Sequence, residues 1–124
     1  MAFVLERMVP VLRIFDESKA REFYVGYLGF DIDFEHRFDE NAPLFMQVSR
    51  GGATLRLSEH HGDGTPGSIV TLIGVGVEAL HQELRDKRYK YLNPGLETTE
   101  WGTLDLCVVD PFNNRLVFSE RIKA

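Results

Sequence analysis

The sequence predicts an α+β fold of two βαβββ modules, about residues 7–59 and 68–121, and three observations predict it. Strand-like and helix-like stretches run in the order β-α-β-β-β and repeat that order after a glycine-rich loop, "HHGDGTPGS". Leu57-Ser58-Glu59 recurs 61 positions later as Phe118-Ser119-Glu120, and the Gly51-Gly52 turn falls near Phe112-Asn113 in the second copy. The 124 residues, 44% hydrophobic, suffice for one domain with a core and are too few for two ordinary ones.

In the first module "MVPVLRIF" is strand-like, and "DESKAREFYVGYL" follows as a helix with Asp16 as its N-cap. Ala20, Phe23, Tyr24, Tyr27 and Leu28 fall on one face of that helix, and Gly29 ends it. "FDIDFEHRF", "APLFMQVS" and "ATLRLSE" are three further strands, divided by "DENAP" and "RGG" turns. The second module opens with "IVTLIGV" and continues with "EALHQELRDKRY", where Leu80, Leu84 and Tyr91 extend an apolar stripe. Its remaining strands are expected around Tyr91, at "TLDLCVV" and at "NRLVFSE", the last following an Asp-Pro turn.

Each module is expected to lay its helix over one face of a small sheet and leave the other face uncovered. Alternation puts Pro10, Leu12, Ile14, Leu55 and Leu57 on the helix side. Val9, Val11, Arg13, Thr54, Arg56 and Ser58 then face away from it, and in the last strand so do Arg115, Val117 and Ser119. Two curled sheets side by side make a concave cup, the usual shape of a small-molecule site.

Composition excludes some classes of function. Asp and Glu number 19 against 14 Lys and Arg, a net charge of −5, which argues against nucleic-acid binding because that affinity rests on neutralising phosphates. No segment approaches the ~20 apolar residues of a membrane span. Cys107 is the single cysteine, so no intrachain disulfide forms and a reducing cytoplasm is the expected location.

Two strings are similar to the vicinal oxygen chelate superfamily, which holds glyoxalases, extradiol dioxygenases and bleomycin-resistance proteins. They are D-x3-A-x2-FY-x3-LGF, from Asp16 to Phe30, and WG…DP-x-x-N, from Trp101 to Asn114. Members share a fold and diverge at the site. The resemblance implies that enzymes of the superfamily hold a divalent metal in the cup with His or Glu from four strands. Mapped from the shared strings, the four ligand positions here are Val9, Arg56, Ser68 or Ile69, and Val117. None is a His, Glu, Asp or Cys, so no metal and no cofactor are expected. Within the superfamily the sequence most resembles the bleomycin-resistance proteins, in "VPVL", in the glycine-rich loop after Glu59 and in Trp101 before the last strands. Those are metal-free homodimers that sequester a cationic glycopeptide antibiotic in clefts at the dimer interface.

Individual residues carry two readings each. Trp101, the sole tryptophan, either stacks on a planar ligand or serves the rim structurally, and the two weigh equally. Arg56 contacts an anionic group or pairs with Asp105 on the same open face, and the internal pair is slightly favoured. An arginine there also counts against a strongly cationic ligand. Phe34, Phe38 and Phe45 line a groove or belong to the core, with the core favoured. His60 and His61 beside Glu59 and Asp63 invite a metal reading, but adjacent loop histidines point apart. Cys107, in an apolar strand, is expected to be buried and inert. "GVGVEA" imitates a dinucleotide fingerprint without the doubly wound sheet that would give it meaning.

The function expected is metal-independent sequestration of a small organic molecule, a bleomycin-family antibiotic first, by a cytoplasmic homodimer. Trp101, Phe38, Phe45, Arg56, Asp105 and Glu59 are the expected binding residues, with no catalytic residue. The alternative is a lyase, isomerase or dioxygenase of the same superfamily with an atypical site, or a metal-free catalyst using Glu59, His60 or Asp105 as acid or base. A third reading is an accessory fold without a ligand.

Overall fold

The structure, a computed structural model, describes residues 2–122. The first half contributes β1 (Val11–Arg13), α1 (Glu17–Ala20), a π-helical continuation (Arg21–Tyr27), β2 (Asp31–His36), β3 (Phe45–Arg50) and β4 (Ala53–Ser58). The second half contributes β5 (Ile69–Ile73), α2 (Val77–Asp86), β6 (Leu96–Thr98), β7 (Thr103–Val109) and β8 (Arg115–Arg121). Strand order is β1-β4-β3-β2 in one sheet and β5-β8-β7-β6 in the other, so the repeat in sequence is a repeat in topology. Leu57 stands opposite Leu12 across the parallel β1–β4 pair, and Phe118 stands opposite Leu72 across the parallel β5–β8 pair. The strands form two four-stranded mixed sheets, not one continuous sheet.

The first helix begins where the sequence indicates. The Asp16 side chain accepts from Lys19 N at 3.0 Å, satisfying one of the otherwise unpaired N-terminal donors. From Arg21 the helix widens by one residue per turn, Leu28 N donating to Phe23 O at 2.9 Å. Gly29, at φ +74°, takes the left-handed conformation that closes it. Arg21 is held by Glu17 and by Glu35 of β2, and Glu17 also pairs with Arg37.

The π-helical segment meets the turn after α2 at a stacked pair, Tyr27 and Tyr89, with ring centroids 4.5 Å apart. Lys87 donates to Tyr27 O at 2.6 Å, and Arg50 makes a two-pronged pair with Glu83 at 2.8 Å on each arm. Desolvation raises the Tyr89 phenol to about 12, with the hydrogen bond to Glu22 adding to it. A single core runs through both halves: Leu12, Phe23, Tyr24, Leu28, Met46 and Leu57 join Leu106, Val108 and Leu116.

The DP-x-x-N string is structural. Asp110 accepts from Phe112 N, Asn114 N and Asn114 Nδ2 at 2.7–2.8 Å, and from the Tyr24 hydroxyl at 2.6 Å. Asn114 also donates to Arg13 O at 2.8 Å and accepts from Ser68 N at 3.2 Å, which ties the last turn to the first strand. Burial, and next the Asp110 carboxylate, push the Tyr24 phenol well above its ordinary value. The glycine-rich loop lies along β1: a Cβ on Gly64 would stand 2.9 Å from Val11 O, so only glycine fits there.

Three expectations need correction. The strand expected around Tyr91 forms instead at Leu96–Thr98, in register with Leu104–Leu106, because pairing with β7 decides its place; Tyr91 is 64% exposed and off the helical stripe. Helix α2 stops at Asp86, short of the tyrosines. Cys107 is exposed, since it lies on the face of β7 that no helix covers. Among the described residues no helix is long and apolar enough to cross a membrane.

Candidate functional site

The face of the first sheet turned away from the helices presents Arg13 from β1, Arg56 and Ser58 from β4, and Phe45, Gln47 and Ser49 from β3. A bulge between Ile32 and Phe34 breaks the alternation of β2 and brings both Asp33 and Phe34 to this face. The Asp33 carboxylate then accepts from Gln47 Nε2 at 3.0 Å and Ser49 Oγ at 2.8 Å. Those two bonds, Gln47 first, hold its carboxyl below the ordinary range. Arg56 Nε donates to Gln47 Oε1 at 3.0 Å, and its guanidinium lies 5.8 Å from the Phe45 ring centre. Phe45 and Phe34 have centroids 6.3 Å apart at 31°. The result is a polar relay, Arg56–Gln47–Asp33–Ser49, laid over an aromatic floor.

Glu59 ends β4 in a structural role, its carboxylate accepting from Leu44 N at 3.0 Å. Phe38 is 78% exposed on the loop between β2 and β3, edge-on to His36 and His60. The core reading of the three phenylalanines is thus corrected: Phe34 and Phe38 are exposed and Phe45 half-buried, because their face has no helix over it.

On the second sheet, Asp105 faces outward with Thr103, Cys107 and Val109, and accepts from Ser119 Oγ at 2.6 Å. Partial desolvation raises the Cys107 thiol, so it stays protonated and is a poor nucleophile. Trp101 is 76% exposed at the β6–β7 turn, which Thr99 and Thr103 fasten. The expected pair of Arg56 with Asp105 does not form. Alternation gave each its outward face, but the two residues belong to different sheets. The six expected binding residues therefore divide, with Phe38, Phe45, Arg56 and Glu59 on the first half and Trp101 and Asp105 on the second.

The four positions that would ligate a metal are spread over both halves of the chain. Arg56 lies opposite Val11 in the first sheet, and Val117 lies between Thr71 and Cys107 in the second. A guanidinium and two valines offer no lone pair to a divalent ion, and the fourth position offers at most the neutral Ser68 hydroxyl, which donates to Thr65 O, so these residues do not fit one. Among the described residues no group of three His, Cys, Asp or Glu side chains gathers anywhere as metal ligands would. The GVGVEA stretch is also committed: Glu120 of β8 accepts from Gly76 N and Val77 N at 2.9 and 3.0 Å, so the α2 N-terminus already has its anion.

A groove of about 850 Å³ opens elsewhere, between the β3–β4 hairpin with Pro10 and the outer edge of β5 with the start of α2. Leu55, Val70, Leu72, Leu80 and Phe118 give it an apolar wall. None of the six expected binding residues lines it.

The geometry has counterparts among solved structures. A glyoxalase-related enzyme from Clostridium phytofermentans aligns with a TM-score of 0.73 at 19% identity, over 97% of this chain and 98% of that one. A bleomycin-binding protein complexed with bleomycin aligns with a TM-score of 0.70 at 21% identity, over 94% and 99%. A bleomycin resistance determinant encoded on the transposon Tn5 gives 0.71 at 21% identity, over 94% and 98%. At such identities the likeness is one of fold. No curated protein matches the sequence. A family model described as "Glyoxalase superfamily protein" matches residues 1–124, and with the paired βαβββ topology it establishes that the chain belongs to the glyoxalase superfamily.

Proposed function

We propose that the protein binds and sequesters a small organic molecule in the cytoplasm without a metal, as a homodimer. The observation that carries this reading is the replacement of the superfamily's ligand positions by Val9, Arg56, Ser68 or Ile69, and Val117, on faces that still present polar and aromatic groups outward. Two of the three candidate acid–base groups support binding over catalysis, since Glu59 is engaged by Leu44 N and Asp105 by Ser119; the third, His60, has its Nε2 buried without a partner.

Apolar side chains exposed on two segments support the dimer. Phe3, Leu5 and Met8 on the N-terminal arm are 82–88% exposed, and Ile73 and Val75 at the outer edge of β5 are 83% and 95% exposed. Among the described residues that edge has a strand on one side only, and apolar surface of this kind marks an interface. The 850 Å³ groove beside it is continuous with the same surface.

Bleomycin, bound by one structural neighbour, is the first compound to titrate. Trp101 reports the titration, because a flat ligand stacked on an exposed indole quenches its emission. Saturable quenching by bleomycin, with no stoichiometric metal by elemental analysis and a dimer by light scattering, is the expected result. Near one equivalent of zinc, nickel, manganese or iron, lost on changing outward-facing residues, overturns the metal-free reading. Absence of quenching and of binding heat removes bleomycin as the ligand.

A further inference from the structure

On the outward face of the first sheet two arginines, Arg13 and Arg56, occupy neighbouring strands and have no carboxylate partner among the described residues. β1 and β4 are parallel, with Val11 opposite Arg56 and Arg13 opposite Ser58, so Arg13 and Arg56 are diagonal neighbours on one face. Each lies against a ring: Arg13 Cζ is 4.6 Å from the centre of Phe15, and Arg56 Cζ is 5.8 Å from that of Phe45. Arg21, Arg37 and Arg50, in the same half, all have carboxylate partners, namely Glu17, Glu35 and Glu83. Among the described residues neither Arg13 nor Arg56 has one, in a chain with five more acids than bases.

Arg13 Nε is buried and meets no acceptor, a condition native structures rarely leave uncorrected. Arg56 spends Nε on Gln47, and its side chain makes no other hydrogen bond among the described residues. Two carboxylates that reach this face are engaged by other groups, Asp33 by Gln47 and Ser49, and Asp63 by the Ser58 hydroxyl. Donors in a planar fork without an acceptor are what a carboxylate, sulfonate or phosphate requires. The tilted pair Phe34 and Phe45 lies beside them and offers a surface for a flat body.

We propose that this face is an anion subsite, and that the molecule bound is a planar organic anion, its charged group on Arg13 and Arg56 and its flat body on Phe45 and Phe34. The proposal rests on the metal-free binding reading and sets the ligand's charge opposite to that of a cationic glycopeptide.

The probes are 2-naphthoate and its uncharged isostere 2-naphthamide, titrated calorimetrically and by the arginine Nε–H resonances of the full-length protein. Naphthoate is expected to bind at least about tenfold more tightly than the amide and to shift the Arg13 and Arg56 signals. Arg13→Gln and Arg56→Gln should each remove most of that preference, and Arg56→Lys should restore part of it, in proteins whose circular dichroism is unchanged. Equal affinity for the two probes, or a preference that survives both Gln variants, overturns the anion subsite while leaving small-molecule binding in place. If neither probe binds at millimolar concentration, the anion assignment fails, and the bleomycin titration decides separately whether that antibiotic is bound.

Discussion

Four donors meet the carboxylate of Asp110, one of them the Tyr24 hydroxyl brought from the opposite half of the chain. Removing one partner from a buried set leaves the others unpaired, which costs about 1–3 kcal/mol for each group left unsatisfied. Asp110→Ala should therefore lower stability by roughly 3 kcal/mol or more in urea denaturation, and Asn114→Ala by a smaller amount. Tyr24→Phe deletes a single bond and should cost about 1–2 kcal/mol. The phenol also carries a pH signature. Its pKa in the folded protein lies above the unfolded value, so its contribution is complete below about pH 10 and declines as the pH rises further. Urea midpoints measured from pH 8 to 11 should fall more steeply for the native protein than for Tyr24→Phe, and parallel slopes would dissociate Tyr24 from alkaline unfolding.

Helix α2 starts at Gly76, which has no side chain to cap it, and borrows Glu120 from β8 for the purpose. The bonds from Val77 N and then Gly76 N lower the Glu120 carboxyl, so its support is present above the unfolded carboxylate value, about 4.3, and fades as the pH falls through the lower folded one. Glu120→Gln should soften the acid side of the stability profile with only a small change at pH 7, read from urea midpoints between pH 3 and 7. An acid limb identical to that of the native protein would count against this cap. Helix α1 was legible from residues alone, because Asp16 and Gly29 punctuate it chemically. Strand β6 was not: Tyr91 has strand propensity, but the pairing of Leu96 with Leu106 is a long-range choice. The bulge that exposes Asp33 and Phe34 together left no mark in the sequence, so of the relay from Arg56 to Ser49 only Arg56 was legible, and its partner Gln47 was not. Alternation assigned Arg56 and Asp105 their faces, yet faces do not say which sheets adjoin.

At the scale of the molecule, assembly can be separated from folding. Ile73 is largely exposed, so Ile73→Glu should change monomer stability by no more than about 0.5 kcal/mol. In a dimer that covers the β5 edge it buries a charge instead, and sedimentation at micromolar concentration should show a shift towards monomer. An unaltered dimer would place the interface elsewhere. The parallel pairings carry a different consequence, one of timing. Among the described residues β5 has β8 as its only neighbouring strand, and α2, β6 and β7 intervene in the chain; β1 likewise depends on β4. Each half thus closes by joining its first strand to its last, the kind of long-range contact that slows folding because the loop must be ordered before the pairing rewards it. In pulse-labelled hydrogen exchange the amides of Ile69–Ile73 should gain protection together with those of Arg115–Arg121 and later than those of α2, so that a newly made chain keeps the apolar β5 unsheltered until its final strand arrives.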